Sequence, residues 1–350
     1  MPTLREVGEL EAIARLGRAY ARAGAGARGG EPDGEGVVLG IGDDAALLRP
    51  APGRDLAATT DAFVEGRHYV PWAFTPRETG ARLAHANLSD LAAMAAVPRW
   101  ALLSLGLRAD HDIDLLVELG HGLAQALAAD GARVVGGNVA AVTGAEWLSL
   151  TLLGETPRGR AWTRAGAHPG DLLAVTGFPG RAAAGLLLAS RLGAAAQGAE
   201  WRTLLDAWRL PRSRVRLALT LAETGAITAA IDISDGLAGN LARLCEASGV
   251  GAELEEAMWP RDPELERAGE TLGIDPDRLR LGPSDDYELL LAVNPERREA
   301  CEEAARRTDT PLAFVGCLNQ ASNVVVRVGK DASRRPLAVE GYDHFTAAGS

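Results

Sequence analysis

Five short acidic clusters constrain this chain of 350 residues more than any other feature. They are Ile41-Gly42-Asp43-Asp44-Ala45, Thr59-Thr60-Asp61, Asn87-Leu88-Ser89-Asp90, Ile231-Asp232-Ile233-Ser234-Asp235-Gly236 and Ser284-Asp285-Asp286-Tyr287-Glu288. A lone acidic pair is ordinarily a solvated turn. Here glycine, hydroxyl residues or apolar runs flank each group, so the backbones that carry them are expected to enter a core. A carboxylate taken out of water without a counter-charge is costly. Such groups need cations, and Mg2+ takes oxygen ligands, commonly one or two carboxylates completed by substrate phosphates. The pattern points to a fold that delivers carboxylates to a magnesium–phosphate site.

The usual phosphate loops are missing. A Walker A loop needs Gly-Lys followed by Ser or Thr. The single lysine, Lys330, lies in Gly329-Lys330-Asp331, which excludes the P-loop NTPases. The glycine-rich stretch 24–36 follows no strand and reads as a flexible loop, not a dinucleotide fingerprint. A net charge of −11 argues against nucleic acid or an anionic membrane as the main partner. An anionic substrate must then be received by metal ions or local arginines. Cys245, Cys301 and Cys317 are too scattered for a zinc site or a disulfide framework and read as free thiols. With no leader-like N-terminus and no apolar run of about 18 residues, a cytoplasmic protein is expected.

Leu4, Val7, Leu10, Ile13, Ala14 and Tyr20 recur at helical spacing and predict an opening helix. Strands are expected at 37–41, 56–60, 100–107, 147–153, 172–176, 229–233, 287–293 and 324–328. Helices are expected at 77–96, 112–129, from about 182, at 212–223 and at 237–247. The stretch 157–170, rich in Arg, Gly and Pro, marks a boundary between an N-terminal domain, 1–157, and a C-terminal domain, 158–350. The mixture of elements predicts two α/β or α+β domains, with strand order left open.

Within that frame, strand alternation sets Asp232 and Ser234 on one face, opposite Ile231 and Ile233. Asp235 and Gly236 then open a helix whose N-terminal amides favour phosphate. Thr59-Thr60-Asp61 reads as an oxygen cluster at a strand end. Asn87 and Asp90 lie one turn apart on one helical face. Asp43-Asp44 after Gly42 is either a β-turn or a metal site. Arg164 is either a phosphate clamp or an ordinary ion-pair partner, and His68, after Glu65-Gly66-Arg67, is either a ligand residue or a surface one.

The ordered set decides among these readings. Gly-Ile-Gly-Asp-Asp-Ala-Ala, Thr-Thr-Asp-Ala-Phe-Val-Glu-Gly-Arg-His, Asn-Leu-Ser-Asp-Leu-Ala-Ala-Met, Arg-Ala-Gly-Ala-His-Pro-Gly-Asp, Ile-Asp-Ile-Ser-Asp-Gly-Leu, Asp-Asp-Tyr-Glu-Leu and Gly-Tyr-Asp-His-Phe follow one another from Gly40 to Phe345. The chain resembles the thiamine-monophosphate kinase family, of the superfamily that includes aminoimidazole ribonucleotide synthetase and selenophosphate synthetase.

That resemblance implies ATP-dependent phosphorylation of thiamine monophosphate to thiamine diphosphate, by a homodimer using several Mg2+ ions. It implies a two-domain aminoimidazole ribonucleotide synthetase-like fold, with the N-terminal sheet pairing across the dimer and the C-terminal domain closing the cleft. Carried over by motif, Asp44, Thr59, Thr60, Asp61, Asp90, Asp232 and Asp235 would hold metal. Gly136, Gly137, Asn138, Arg164 and Ser234 would contact ATP, while His68, Asp285 and Tyr342 would face the thiamine substrate. No general base is required, because a phosphate acceptor, with a second pKa of about 6, is already largely ionised at neutral pH.

Two positions depart from the family pattern. Asn138 stands where the family usually has Asp, and Asp285, behind Pro283, stands where it usually has Glu. Either change leaves room for an ATP-dependent superfamily member with a different phosphorylated or carbonyl substrate, or for a nucleotide-binding paralogue without turnover.

Overall fold

The computed structural model describes residues 2–24 and 36–337. The chain divides into two units, Met1–Leu91 with Ala96–Ala161, and Ala92–Ala95 with Trp162–Ser350.

The first unit opens with α1 (Leu4–Gly24), broken at Gly8, and a small hairpin of β1 (Val37–Leu39) and β2 (Leu47–Leu48). It continues through β3 (Arg54–Val64), α2 (Pro76–Ala93), β4 (Val97–Arg108), α3 (Ile113–Ala129), β5 (Arg133–Val142) and β6 (Trp147–Pro157). The sheet order is β3-β6-β4-β5. Only β4 and β5 run parallel, and α3 provides the crossover that such a pair requires. Asp112 caps α3 by accepting the Asp114 amide proton at 2.8 Å, which stops the helix from extending back into the loop.

Alternation divides this sheet into two faces. Leu148, Leu150 and Leu152 on β6 are fully buried, as are Leu103, Leu105 and Leu107 on β4, on the side covered by helices. The other face carries Ala58, Thr60 and Ala62 of β3, Leu102 and Ser104 of β4, and Ser149, Thr151 and Leu153 of β6. These residues are uncharged and half-buried or exposed, Leu102 among the latter.

The second unit contains β7 (Leu172–Thr176), α4 (Arg181–Leu192), α5 (Arg202–Arg209), α6 (Val215–Ala222), β8 (Ile227–Ile233), α7 (Leu237–Ser248) and β9 (Gly251–Glu255). It ends with α8 (Pro263–Leu272), α9 (Pro276–Leu281), β10 (Glu288–Val293), α10 (Arg298–Arg307), β11 (Leu312–Asn319), β12 (Val325–Val328) and β13 (Arg334–Pro336). Seven strands order as β13-β12-β9-β11-β7-β10-β8, with β12 and β9 the one parallel pair. All six residues of β10 are buried, as expected for a strand covered on both faces. Leu237, Leu241 and Leu244 of α7 pack with Ile231, Ile233, Val175 and Leu290 in the core.

The sequence expectations need four corrections. Asp61 is interior to β3, three residues before its end, because the strand runs through the Thr-Thr-Asp cluster and on to Val64. Gly136-Gly137-Asn138 lies within β5, a strand that was not among those expected. The expected helix at 212–223 starts only at Val215. The hairpin that carries Asp43 and Asp44 stays out of the core, with Ile41 48% and Leu47 54% exposed, so its apolar flanks do not bury it. No helix among the described residues is long and apolar enough to cross a membrane.

Candidate active site

The first unit brings three of the expected residues together. Thr59 and Asp61 are two apart on β3 and face α2, where Asp90 lies. The Thr59 hydroxyl donates to an Asp90 carboxylate oxygen. Burial, with the charge of Asp90 as a second cause, pushes the Asp61 carboxyl up to about 7. One helical turn before Asp90, Asn87 is fully buried; its amide nitrogen donates to the Leu83 carbonyl at 3.0 Å. The Asn87 side-chain oxygen is buried and has no hydrogen-bond partner among the described residues. Two carboxylates, a hydroxyl and an orphaned amide oxygen are an oxygen-rich donor set.

Thr60 does not join them. Its side chain alternates to the opposite face, where its hydroxyl meets that of Thr151, its cross-strand partner, at 3.2 Å. A contiguous cluster in sequence is therefore two clusters in space, which removes the Thr60 hydroxyl from the expected metal set. Asp44 sits exposed on the β1–β2 hairpin, its amide donating to the Asp43 carboxylate at 2.8 Å.

Gly136 and Gly137 have a packing reason to be glycine. A Cβ at Gly137 would come 2.0 Å from the Leu103 carbonyl oxygen, and one at Gly136 would meet a Leu102 methyl at 2.9 Å. Asn138 is exposed and pairs in register with Ser104.

His68 closes the turn after β3. Its Nδ1 accepts the Val64 amide proton at 3.1 Å, so a neutral ring carries its proton on Nε2. The ring stacks on Phe63, centroids 5.6 Å apart and 9° between planes. Phe63 shares its strand face with Asp61, two residues earlier.

In the second unit, β8 ends in the Asp232–Asp235 cluster. Asp232 is buried, and the Ser234 hydroxyl reaches one of its oxygens at 3.4 Å, in keeping with their expected common face. Asp235 does not cap α7; Gly236 holds that position, with φ 100°. Instead, the Asp235 amide donates to the Asn240 side-chain oxygen at 3.0 Å, and its carboxylate pairs with Arg243. Asn240 was not anticipated. Its signal is a polar residue at 1% exposure on the helix that carries Leu237, Leu241 and Leu244. A Cβ on Gly236 would lie 2.1 Å from the Gly282 carbonyl oxygen, so the Ser-Asp-Gly turn abuts the Gly282-Pro283 loop.

The Asp-Asp-Tyr-Glu motif divides by role. Asp285 is half-buried, whereas Asp286 is buried and accepts the amide protons of Gly180 and Ala182 at 2.7 and 3.0 Å. Asp286 thus closes the start of α4, and burial pushes its carboxyl up to about 7. Glu288 takes both arms of the Arg214 guanidinium at 2.5 Å and the Thr176 hydroxyl at 2.5 Å. Between them Tyr287 adopts φ 52°, a left-handed conformation costly for this residue and characteristic of functional loops. Arg164 is exposed, and its guanidinium makes no ion pair among the described residues; its carbonyl accepts from Ser248 at 2.9 Å. Tyr342 lies outside the described residues.

Among the described residues, no group of three or more His, Cys, Asp or Glu side chains is placed to hold a metal ion. The Asp61–Asp90 pair nonetheless fits Mg2+, which keeps several waters and takes one or two carboxylates plus substrate phosphates.

The chain has similar proteins of known family and structure. Residues 42–156 match the model "AIR synthase related protein, N-terminal domain", and residues 168–329 match the corresponding C-terminal domain. The thiamine-monophosphate kinase of Escherichia coli K12 is 35% identical over 314 residues, covering 88% of this chain and 92% of that protein. The enzyme of the same name from Bacillus subtilis is 29% identical over 313 residues, covering 88% and 94%. The crystal structure of thiamine-monophosphate kinase from Stenotrophomonas maltophilia superposes with a TM-score of 0.78 at 31% identity, covering 92% of this chain and 97% of that one. A structure described as AaThiL complexed with AMPPCP and TMP gives a TM-score of 0.74 at 25% identity, with 99% of each chain covered. With both domain models matched in order, and a relative above 30% identity along nearly its whole length, this chain belongs to the thiamine-monophosphate kinase family of AIR synthase related proteins.

Proposed function

We propose that this protein transfers the γ-phosphoryl group of ATP to the phosphate of thiamine monophosphate, yielding thiamine diphosphate and ADP. The observation that carries the proposal is the half-buried Asp61 carboxylate set against Asp90, with Thr59 bonded to the latter. Relatives bearing the activity in their names support it.

In the transfer, an oxygen of the thiamine monophosphate phosphate forms a bond to the γ-phosphorus while the bond to the ADP oxygen breaks. That acceptor oxygen is already ionised, so no side chain need remove a proton. Magnesium, when bound, offsets phosphate charge and aligns the two reactants. Asp61 and Asp90 would hold it, and Thr59 keeps the Asp90 carboxylate in one orientation. Asp232, Asp235 and Asp44 are the further metal ligands that the family motifs assign. Ser234 and Arg164 are assigned to ATP, and so are Gly136, Gly137 and Asn138. His68, Asp285 and Tyr342 are assigned by the family motifs to the thiamine substrate.

The uncharged open face of the four-stranded sheet supports assembly as a homodimer through that face, since a surface of Leu102, Leu153, Ala58 and Ala62 gains by leaving water. A cytoplasmic setting agrees with three unpaired cysteines, two of them buried.

The test is product analysis after incubation with ATP, Mg2+ and thiamine monophosphate, with unphosphorylated thiamine as control. Thiamine diphosphate formed only from the monophosphate supports the proposal. ATP binding without product would move the assignment to another substrate or to a paralogue without turnover.

A further inference from the structure

Three strand ends meet beside the His68 turn: β3 finishes at Val64, β4 at Arg108, and β6 starts at Trp147. Four ionisable side chains gather there. Arg108 donates to Glu65 Oε2 at 2.5 Å and lies 3.6 Å from Glu146 Oε1. The Arg108 amide also donates to Glu146 Oε1 at 2.9 Å, and His111 Nδ1 lies 2.9 Å from Glu146 Oε2. The backbones interlock as well, Glu65 N–H to Glu146 carbonyl at 2.9 Å and Glu146 N–H to Glu65 Oε2 at 3.3 Å. The Glu146 side chain is 5% exposed and that of Glu65 20%.

Holding strand ends together does not by itself call for this arrangement. Apolar side chains of similar volume do so without the cost of desolvating the Glu146 carboxylate, although the Arg108 side chain is 39% exposed. What an arginine–carboxylate set adds is direction. The residue it directs is Glu65, the first residue of the turn. From there Gly66 N–H bonds to Tyr69 carbonyl at 2.8 Å, and His68 N–H to Val64 carbonyl at 3.0 Å. The Val64 N–H in turn selects the Nδ1 acceptor form of His68, whose ring is pinned on Phe63.

We infer that Arg108 is a positioning residue for His68: its ion pair with Glu65, backed by Glu146, fixes the turn so that the imidazole holds one orientation and one tautomer. The inference deepens the proposed function, resting on His68 as a residue facing the thiamine substrate. Arg108 itself touches no substrate in this account. It acts at one remove, so its loss affects how the acceptor is bound and leaves nucleotide binding alone. The Glu65 carboxyl is held below the usual carboxylate range, first of all by the Arg108 hydrogen bond, which is consistent with a persistent pair.

The test compares Arg108→Met and the near-isosteric Glu65→Gln with the unaltered full chain, by histidine nitrogen NMR on histidine-labelled protein and by steady-state kinetics. In the unaltered protein His68 should show distinct protonated and unprotonated ring nitrogens; in both variants the two should move toward a tautomer average. KM for thiamine monophosphate should rise about tenfold while KM for ATP changes less than about twofold, with Arg108→Lys restoring part of the loss. An unchanged His68 signature in both variants, even with lowered thermal stability, would overturn the inference and leave the network a scaffold only. A shifted signature with unchanged KM for thiamine monophosphate would uphold the positioning and count instead against His68 as a substrate contact.

Discussion

Thr59 on β3 donates its hydroxyl proton to the carboxylate of Asp90 on α2, joining strand and helix by a polar contact beside the half-buried Asp61. The hydroxyl is a neutral donor beside two like charges, and it orients the Asp90 carboxylate. Thr59→Val keeps the shape and removes the donor. It should lower kcat by about tenfold or more, the usual cost of losing a bond that orients a metal ligand, whereas Thr59→Ser should stay near the unaltered rate. Steady-state rates at saturating ATP and Mg2+ decide this; equal losses in both variants would point to packing instead.

Asp61 should trade stability for activity. Its carboxyl titrates at about 7 in the fold, against an ordinary value of 3.8. Between these values the folded chain holds a proton that the unfolded chain has released, so stability falls as pH rises through this window. Asp61→Asn removes that loss. In metal-free buffer the variant should be more stable than the unaltered protein at pH 8, by about 1–3 kcal/mol, with little difference below about pH 4. Its turnover should fall by at least about a hundredfold. Thermal unfolding in chelator at both pH values, beside a rate assay, tests both halves.

The Arg214–Glu288 pair is buried, and Thr176 shares the carboxylate. Removing one partner strands a charge, so Arg214→Met alone should cost about 3–5 kcal/mol in urea unfolding. The double change Arg214→Met with Glu288→Gln should recover much of that, because no unpaired charge remains. Equal destabilisation by the single and double variants would show that shape, and not charge, dominates the site.

Gly137→Ala places a methyl 2.0 Å from the Leu103 carbonyl oxygen, on strand backbone that can move only with β4. The substitution should destabilise the first unit by about 1–3 kcal/mol. Gly53→Ala, where nothing lies within 4 Å of an added Cβ although φ is 74°, is a control for backbone strain without a clash. Similar losses at both positions would remove the close-approach argument for Gly137.

How far this could be read from sequence depended on whether the local pattern matched the element. Alternation in Ile231-Asp232-Ile233-Ser234 placed Asp232 with Ser234 correctly, because a strand backed by a core obeys its two-residue period. The same rule, applied to Thr59-Thr60-Asp61, would have separated Thr60 from its neighbours; reading the three as one oxygen cluster ignored it. Gly136-Gly137 lies within β5, which was not among the expected strands, and close approach of β4 calls for glycine there. Asp286 and Glu288 lie in the Asp-Asp-Tyr-Glu motif, yet their partners are 104 and 74 residues away at Ala182 and Arg214, a separation that no local pattern encodes. The helices α8 and α10 escaped notice because charged residues interrupt their apolar spacing; in α10 only Cys301, Ala304 and Ala305 are buried.

The central claim is that phosphate accepts phosphate at a site built on Asp61 and Asp90. The most direct measurement follows radiolabelled γ-phosphate from ATP in the presence of Mg2+ and thiamine monophosphate, for the unaltered protein and for Asp61→Asn. The account predicts label in the terminal phosphate of thiamine diphosphate with the unaltered protein and almost none with the variant. Label released only as inorganic phosphate, or transfer at near-normal rate by Asp61→Asn, would contradict it.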